Sequence, residues 1–286
     1  MESGGAGGYA RDMDAHVVSF GVHLRRWRER RRMTQTDLAL AAESSTRHLS
    51  CLENGKAQPS RDMVIRLAEY LDIPLRDRNT LLLAAGFAPA FGERSLDGLE
   101  AAKSAIETLL RAHHPLPALA VDRHWNVVLS NAALPQLYEG CSEALLRKPV
   151  NAVRLMLHPE GMGPRIVNFA AWRAHTVIML RQQLDAHGDP VIKQLLAEVA
   201  GYPVPDASEE PRAFEGAERL VTPFKVATRF GVASFLNTIT VFGTPNDVTL
   251  AELALEMLFP ADQDTIAIVQ RMVAETELPA QGQLPA

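Results

Sequence analysis

Residues 34–60 read TQTDLALAAESSTRHLSCLENGKAQPS. The stretch divides into two short helices joined by a tight turn, then a loop and the start of a third helix. Thr34 opens the first helix. Asp37, three residues on, makes a near capping box with a short carboxylate where Glu or Gln is usual. Leu38, Ala39 and Ala42 are placed to face inward, and the small alanines allow two helices to approach closely. Ser44 or Ser45 caps the second helix. Leu49 and Leu52 give that helix its buried side, and Gly55 ends it with a residue tolerant of positive φ. Pro59-Ser60 restarts the chain, with Ser60 as the next cap. This layout is that of a helix-turn-helix, which sets one helix in the major groove of DNA.

Upstream, Phe20, Leu24 and Trp27 recur at helical spacing and predict a helix over Phe20–Arg32. Arg25, Arg26, Arg28, Arg30, Arg31 and Arg32 crowd its other faces. As a group they suit sequence-independent attraction to phosphate, Arg25 and Arg26 foremost; singly, each also fits a solvated face. Downstream, Val64, Leu67, Ala68 and Leu71 form a stripe that Pro74 ends, and a fifth helix covers about Leu75–Ala85 before Gly86. The expectation is an all-α N-terminal domain of five helices over residues 19–90, behind a Gly-rich tail at 1–18.

Charge separates this head from the rest. Residues 20–80 hold twelve Lys/Arg against eight Asp/Glu, a net +4, whereas the remainder nets −9. A basic head on an acidic body is expected where one domain alone meets nucleic acid. The full chain of 286 residues, net −5, is long enough for about two domains. No apolar run approaches the roughly 18–20 residues of a membrane span, and MESGGAGGYARDMD lacks the pattern of a signal peptide. Cys51 and Cys141 lie far apart and fit reduced thiols, so a cytoplasmic protein without a membrane role is expected. His113 and His114 are adjacent and lack metal-pair spacing, GMGPR is no phosphate loop, and His158-Pro159 shapes a turn. No metal and no enzyme activity is expected.

Ala90–Leu99 reads as the seam, with residues 91–105 as linker and start of a connecting helix. That helix is predicted over about Asp97–Ala112. Short strands come next at Ala118–Asp122 and Trp125–Ser130 around a turn at Asp122-Arg123-His124. Asn131 then caps a helix to about Tyr138. Further helices are predicted over Val150–Leu157, Arg165–Ala186 and Pro190–Val199. In Arg165–Ala186 the inward residues are Val167, Ala170, Ala174, Val177, Ile178 and Leu184. A Pro-rich acidic loop leads to strands at Arg219–Thr222 and Val232–Phe242. In the latter Ala233, Phe235, Asn237, Ile239 and Val241 share one face. A final helix runs from Thr249 through Met257 and stops at Pro260. The region 106–275 is thus an α+β domain, with a tail at 276–286.

Residues 34–60 resemble the Cro/repressor-type helix-turn-helix of the xenobiotic-response-element family, through the frame TQ…LA…S…LENG…PS. The whole chain from about residue 20 to 272 resembles the MmyB-type regulators. That likeness rests on STRHLSCLENGKAQPSRDM, HPEGMGPRIVNFAAWRAH, LVTP and FLNTITVFGTPNDVTLAELALEMLFPADQDT. Carried over by position, Gln35 touches a phosphate, and Ser45, Thr46 and Arg47 meet base edges. Ser50 and Cys51 lie one turn further along within reach of the DNA, Ser50 as a DNA-binding candidate. Arg47 suits bidentate guanine readout or, alternatively, a phosphate clamp. The resemblance also pairs Arg28 with Glu53 as a structural ion pair. It implies a PAS-like second domain with an apolar cavity, no cofactor, and a fatty-acid-like ligand.

The candidate lining residues are Phe169, Trp172, Met179, Phe235, Asn237 and Ile239; ordinary core packing is the alternative for each apolar one. Asn237 would orient a ligand headgroup or bond to nearby backbone. Arg165 and His175 meet a ligand carboxylate or stay on the surface. The expected function is a ligand-responsive regulator that binds a double-stranded DNA operator as a homodimer. The rival is a regulator whose second domain only dimerises or recruits a protein partner.

Overall fold

The structure, a computed structural model, describes residues 18–205, 222–243 and 245–277. It divides into two compact units, residues 1–92 and 93–286.

Among the described residues the first unit is built of helices: α1 Phe20–Arg30, α2 Gln35–Ala41, α3 Thr46–Glu53, α4 Arg61–Tyr70 and α5 Leu75–Ala84. The capping box expected at Thr34 is complete, since the Thr34 hydroxyl accepts from Asp37 N–H and the Asp37 carboxylate accepts from Thr34 N–H. Ser45 and Ser60 cap α3 and α4 through their own hydroxyls. Leu24, Trp27, Leu38, Leu49, Leu52 and Leu67 meet in one core. The first helix stops two residues short of the expected Arg32. Arg32 turns into the left-handed region (φ 55°), and Arg31 donates to the Leu71 and Asp72 carbonyls at the end of α4. A charged side chain thereby satisfies carbonyls that a helix end leaves open. Gly21 has no freedom to be larger: a Cβ there would lie 2.5 Å from the carbonyl oxygens of both Leu52 and Glu53. It lets α1 press directly on the end of α3.

The second unit is α+β. Its elements are α6 Glu100–Ala112, β1 Ala118–Val121, β2 Val127–Ser130, α7 Glu143–Leu146, α8 Ala152–Leu157, α9 Phe169–His187, α10 Pro190–Ala200, β3 Phe224–Thr228, β4 Gly231–Val241, α11 Val248–Ala251, β5 Ala254–Pro260 and α12 Gln263–Glu277. The strands form one antiparallel sheet in the order β2-β1-β5-β4-β3. Ile106 and Leu110 of α6 pack with Ala118, Ala120 and Leu255 on one face. The larger core, with Trp172, Leu180, Phe224, Phe235 and Leu258, fills the other.

Several expectations need correction. The segment expected to be helical from Thr249 to Met257 holds one helical turn, α11, started by Asp247. Ala254–Pro260 is then the central strand β5. Paired on both edges, between β1 and β4, it lacks the polar alternation that marks a half-exposed strand, and α12 beyond it was not foreseen. Asn131 caps no helix. Its side chain accepts from Ala118 N–H and donates to the Leu110 and Leu116 carbonyls, tying α6 to β1. The next element is a 3-10 helix, Leu134–Tyr138. The second strand begins at Val127 rather than Trp125, because Trp125 adopts φ 67°.

Helix α9 starts at Phe169, and Arg165 sits in a preceding 3-10 turn. Its buried residues are Phe169, Trp172, Thr176 and Leu180, while Ile178 is 53% exposed and Ala174 is exposed too. With apolar residues all round, periodicity could not choose the face. The strand expected at Arg219–Thr222 lies mostly outside the described residues, and β3 starts at Phe224.

Candidate functional site

Two polar constellations stand out, one in each unit. In the first unit Glu53 lies at the end of α3 with a fully buried side chain. Arg28 donates to both of its oxygens, Nε to Oε1 at 2.6 Å and Nη2 to Oε2 at 3.0 Å. The third guanidinium nitrogen of Arg28 bonds the Met33 carbonyl at 2.9 Å. Gln35 Nε2 donates to Glu53 Oε2 at 2.8 Å, and Arg25 Nε at 3.2 Å. Burial pushes the Glu53 carboxyl up, but the hydrogen bonds of Arg28, Gln35 and Arg25 outweigh it and hold it below the usual value. One carboxylate therefore joins α1, the start of α2 and the end of α3 into a rigid frame.

That frame leaves the opening turn of α3 outward. Ser45, Thr46 and Arg47 are exposed, whereas Leu49 and Leu52 on the opposite side are buried. The Ser45 hydroxyl accepts from His48 N–H, which fixes the turn. Ser50 and Cys51 are half-buried on the next turn, and Ser50 receives the Asn54 amide on its carbonyl. Arg26 is exposed on α1. Arg25 differs, because a second of its nitrogens bonds Asn54 Oδ1 at 2.7 Å and ties it to the end of α3. Gln35 has one amide hydrogen committed to Glu53, which leaves the other for an outside acceptor.

In the second unit a cavity of about 70 Å³ lies between the sheet and helices α8 and α9. Trp172, Met179, Asn237 and Ile239 line it, and so does His175, whose ring lies 5.4 Å from that of Trp172. Phe169 and Phe235 do not; both are fully buried in the packed core beside it. Arg165 also lies elsewhere, donating to the Leu137 carbonyl. Trp125 forms part of the wall. Its left-handed backbone is held by Asp122, which accepts from the amides of His124 and Asn126. Its indole donates to Gln183 of α9 at 2.8 Å.

The cavity has a polar floor, of which sequence reading found Asn237 but missed Glu256 and Tyr138. Glu256 of β5 stands diagonal to Asn237 of β4, and Asn237 Nδ2 approaches its Oε1 at 3.4 Å. Burial pushes the Glu256 carboxyl up to about 7, only partly opposed by Asn237. Tyr138 lines the same cavity, its phenol held protonated by burial and then by the charge of Glu256. Asn237 Oδ1 is buried and has no hydrogen-bond partner among the described residues. The readable signal was a single carboxylate inside the apolar run ALEMLF, hidden once that run was taken for a helix. Gly161 of the HPEGMG segment serves packing, since a Cβ there would lie 2.1 Å from the Leu155 carbonyl oxygen of α8. Among the described residues no group of His, Cys, Asp and Glu could hold a metal ion, and no helix is long and apolar enough to cross a membrane.

Comparison with known proteins bears on both units. No curated protein matches the chain. The crystal structure of the clp gene regulator ClgR from Corynebacterium glutamicum is 26% identical, covering 34% of this chain and 90% of that one, with a TM-score of 0.21. The structure of an RNA-binding light-oxygen-voltage receptor is 13% identical, covering 88% of this chain and 64% of that one, with a TM-score of 0.22. At such TM-scores neither carries weight for fold or function. Family models are decisive instead: a helix-turn-helix domain matches residues 19–81, and the MmyB-like transcription regulator ligand binding domain matches residues 102–272. The chain, a helix-turn-helix head joined to that domain, belongs to the MmyB-like transcription regulators.

Proposed function

We propose that this regulator binds its operator through the opening turn of α3 and adjusts that binding to a small apolar effector held in the second unit. The carrying observation for the head is the outward turn Ser45–Arg47 on a helix whose far end is locked by Glu53. A rigid helix presenting an arginine suits base-edge readout. Arg26 and the remaining donors of Arg25 and Gln35 supply phosphate contacts. A homodimer placing two such heads on half-sites about one DNA turn apart doubles the contacts. The tail of the effector is chain-like and apolar, fatty-acid-like in that sense, as the Trp, Met, Leu and Ile lining favours. The two-strand opening β1–turn–β2 and the single antiparallel sheet support a PAS-like sensor.

The cavity's size suggests how binding becomes a signal. About 70 Å³ is well below the roughly 300 Å³ at which ligand pockets begin. An acyl-sized chain enters only if the wall of α8 and α9 gives, and the flexible Met156 and Met179 let it do so. Ligand then favours one arrangement of the chain over another, which is a population shift. The test is operator affinity of the full-length protein with and without medium- and long-chain apolar compounds. A change of at least about fivefold is expected, the lower end of typical allosteric coupling. No change with any of them supports the rival, in which the second unit only dimerises or recruits a protein. In the rival's favour, the cross-strand neighbours Leu236 and Phe259 are both exposed on the sheet.

A further inference from the structure

We infer that the effector carries a hydrogen-bond-donating head, an amino or hydroxyl group on an apolar body, which seats between Asn237 Oδ1 and the Glu256 carboxylate. The inference rests on the cavity being the effector site. A buried polar atom without a partner is rare in a native protein and calls for an explanation. Asn237 Oδ1 is such an atom, and it belongs to a side chain lining the cavity. Its neighbour Glu256 accepts one long bond, at 3.4 Å, where a carboxylate has about four lone-pair sites. Above about pH 7, where Glu256 is ionised, both groups are acceptors and both want a proton donor.

The orientation of the amide comes from the same pair. With Glu256 ionised, turning Asn237 over would set its oxygen against a Glu256 oxygen, acceptor on acceptor. With Nδ2 toward Glu256, Oδ1 is left for whatever occupies the cavity. The remaining titratable groups on the lining are Tyr138 and His175, and among the described residues no lysine or arginine lines it. A carboxylate head would therefore stand beside a second carboxylate with no guanidinium or ammonium to balance them, an arrangement that disfavours charge on both. An ammonium or hydroxyl head instead supplies the missing donors. An ammonium also neutralises Glu256, whose ionised form burial disfavours.

Dodecylamine, dodecan-1-ol and dodecanoate share a tail length and differ in the head. Titration of each into the full-length protein at pH 8 can be followed by fluorescence of Trp125 and Trp172, which line the cavity, and by the shift in melting temperature. The amine is expected to bind at least tenfold tighter than dodecanoate, with the alcohol between them. Glu256→Gln should erase the advantage of the amine over the alcohol, and Asn237→Leu should weaken both. Dodecanoate binding as tightly as the amine would overturn the donor-head inference while leaving the cavity as the effector site. An unchanged order in Glu256→Gln would do the same, because the amine would then be acting as a detergent. Failure of all three to bind would remove the cavity reading along with the inference.

Discussion

Glu53 of the first unit is buried and Glu256 of the second is partly so, and the two are treated in opposite ways. Glu53 receives hydrogen bonds from Arg28, Gln35 and Arg25, and its carboxyl titrates below the usual range. Glu256 receives one long bond from Asn237 and titrates at about 7. A saturated buried charge has nothing left to offer a visitor and serves as a lock. An under-satisfied one is costly to the free protein, and that cost can be returned when a suitable ligand arrives. The difference fits a rigid DNA-binding head and, on the proposed function, a responsive ligand-binding domain.

The contrast breaks most visibly if the lock is removed. Glu53→Ala leaves two guanidinium groups and an amide without their acceptor, and the loss expected for breaking a buried pair is about 3–5 kcal/mol. Amide hydrogen exchange in α1 and α3 of the full-length protein, alongside its melting curve, reads this directly. Unchanged protection in both helices would mean that Glu53 does not hold the frame. Acid gives an independent measurement. The folded pKa of Glu53 lies below the ordinary 4.5, so its contribution is complete above pH 4.5 and is lost as pH falls through the folded value. The variant should lose that acid-side dependence.

Glu256 should show the opposite sign. Between about pH 4.5 and 7 the folded state keeps a proton that the unfolded chain has released, so stability declines as pH rises across that window. Raising this carboxyl to about 7 corresponds to something on the order of 3 kcal/mol. Glu256→Gln removes the titration. Its stability relative to the parent should therefore be higher at pH 8 than at pH 5 by that order. A parent and variant with parallel pH profiles would show that Glu256 is not the group that titrates in that window.

The two sites also differ in how far they could be read before folding. The head was legible because its signals are local. Thr34, Ser45 and Ser60 announce their helices within three residues, and Leu38, Leu49 and Leu52 fall at helical spacing on a small domain with one core. The cavity depends on pairings distant in sequence. Glu256 meets Asn237 only because β5 inserts between β1 and β4, an order that no local pattern discloses. A central strand also lacks the alternation that identifies exposed ones, and a helix such as α9, apolar on every side, hides which face is inside. Trp172, Met179, Asn237 and Ile239 were found by residue type and reach the cavity; Phe169 and Phe235 share that type and are core. Gly21 had no visible signal beyond being a glycine within a helical stretch, since its constraint is the backbone of α3.

On the outer side of the lock the effects become smaller and more specific. Arg47 is exposed at the first turn of α3, so Arg47→Ala should leave melting unchanged. Operator binding should fall by roughly 1–3 kcal/mol, with base preference relaxed at one position. Equal loss on every sequence, measured on single-substitution operators, would make Arg47 a phosphate clamp.

The smallest effect separates two adjacent arginines. Arg26 is exposed, while Arg25 spends two of its nitrogens on Glu53 and Asn54. Each phosphate contact contributes about 0.9 to the slope of log affinity against log salt. Arg26→Ala should reduce that slope by about one contact and leave stability alone. Arg25→Ala should reduce it by no more than that and also loosen α1 from α3, because its guanidinium belongs partly to the lock. Hydrogen exchange of α1 in the two variants, set beside their salt slopes, distinguishes an arginine that faces DNA from one that divides itself between DNA and the frame. Identical behaviour in both measurements would erase the boundary between the rigid interior of the head and its binding surface.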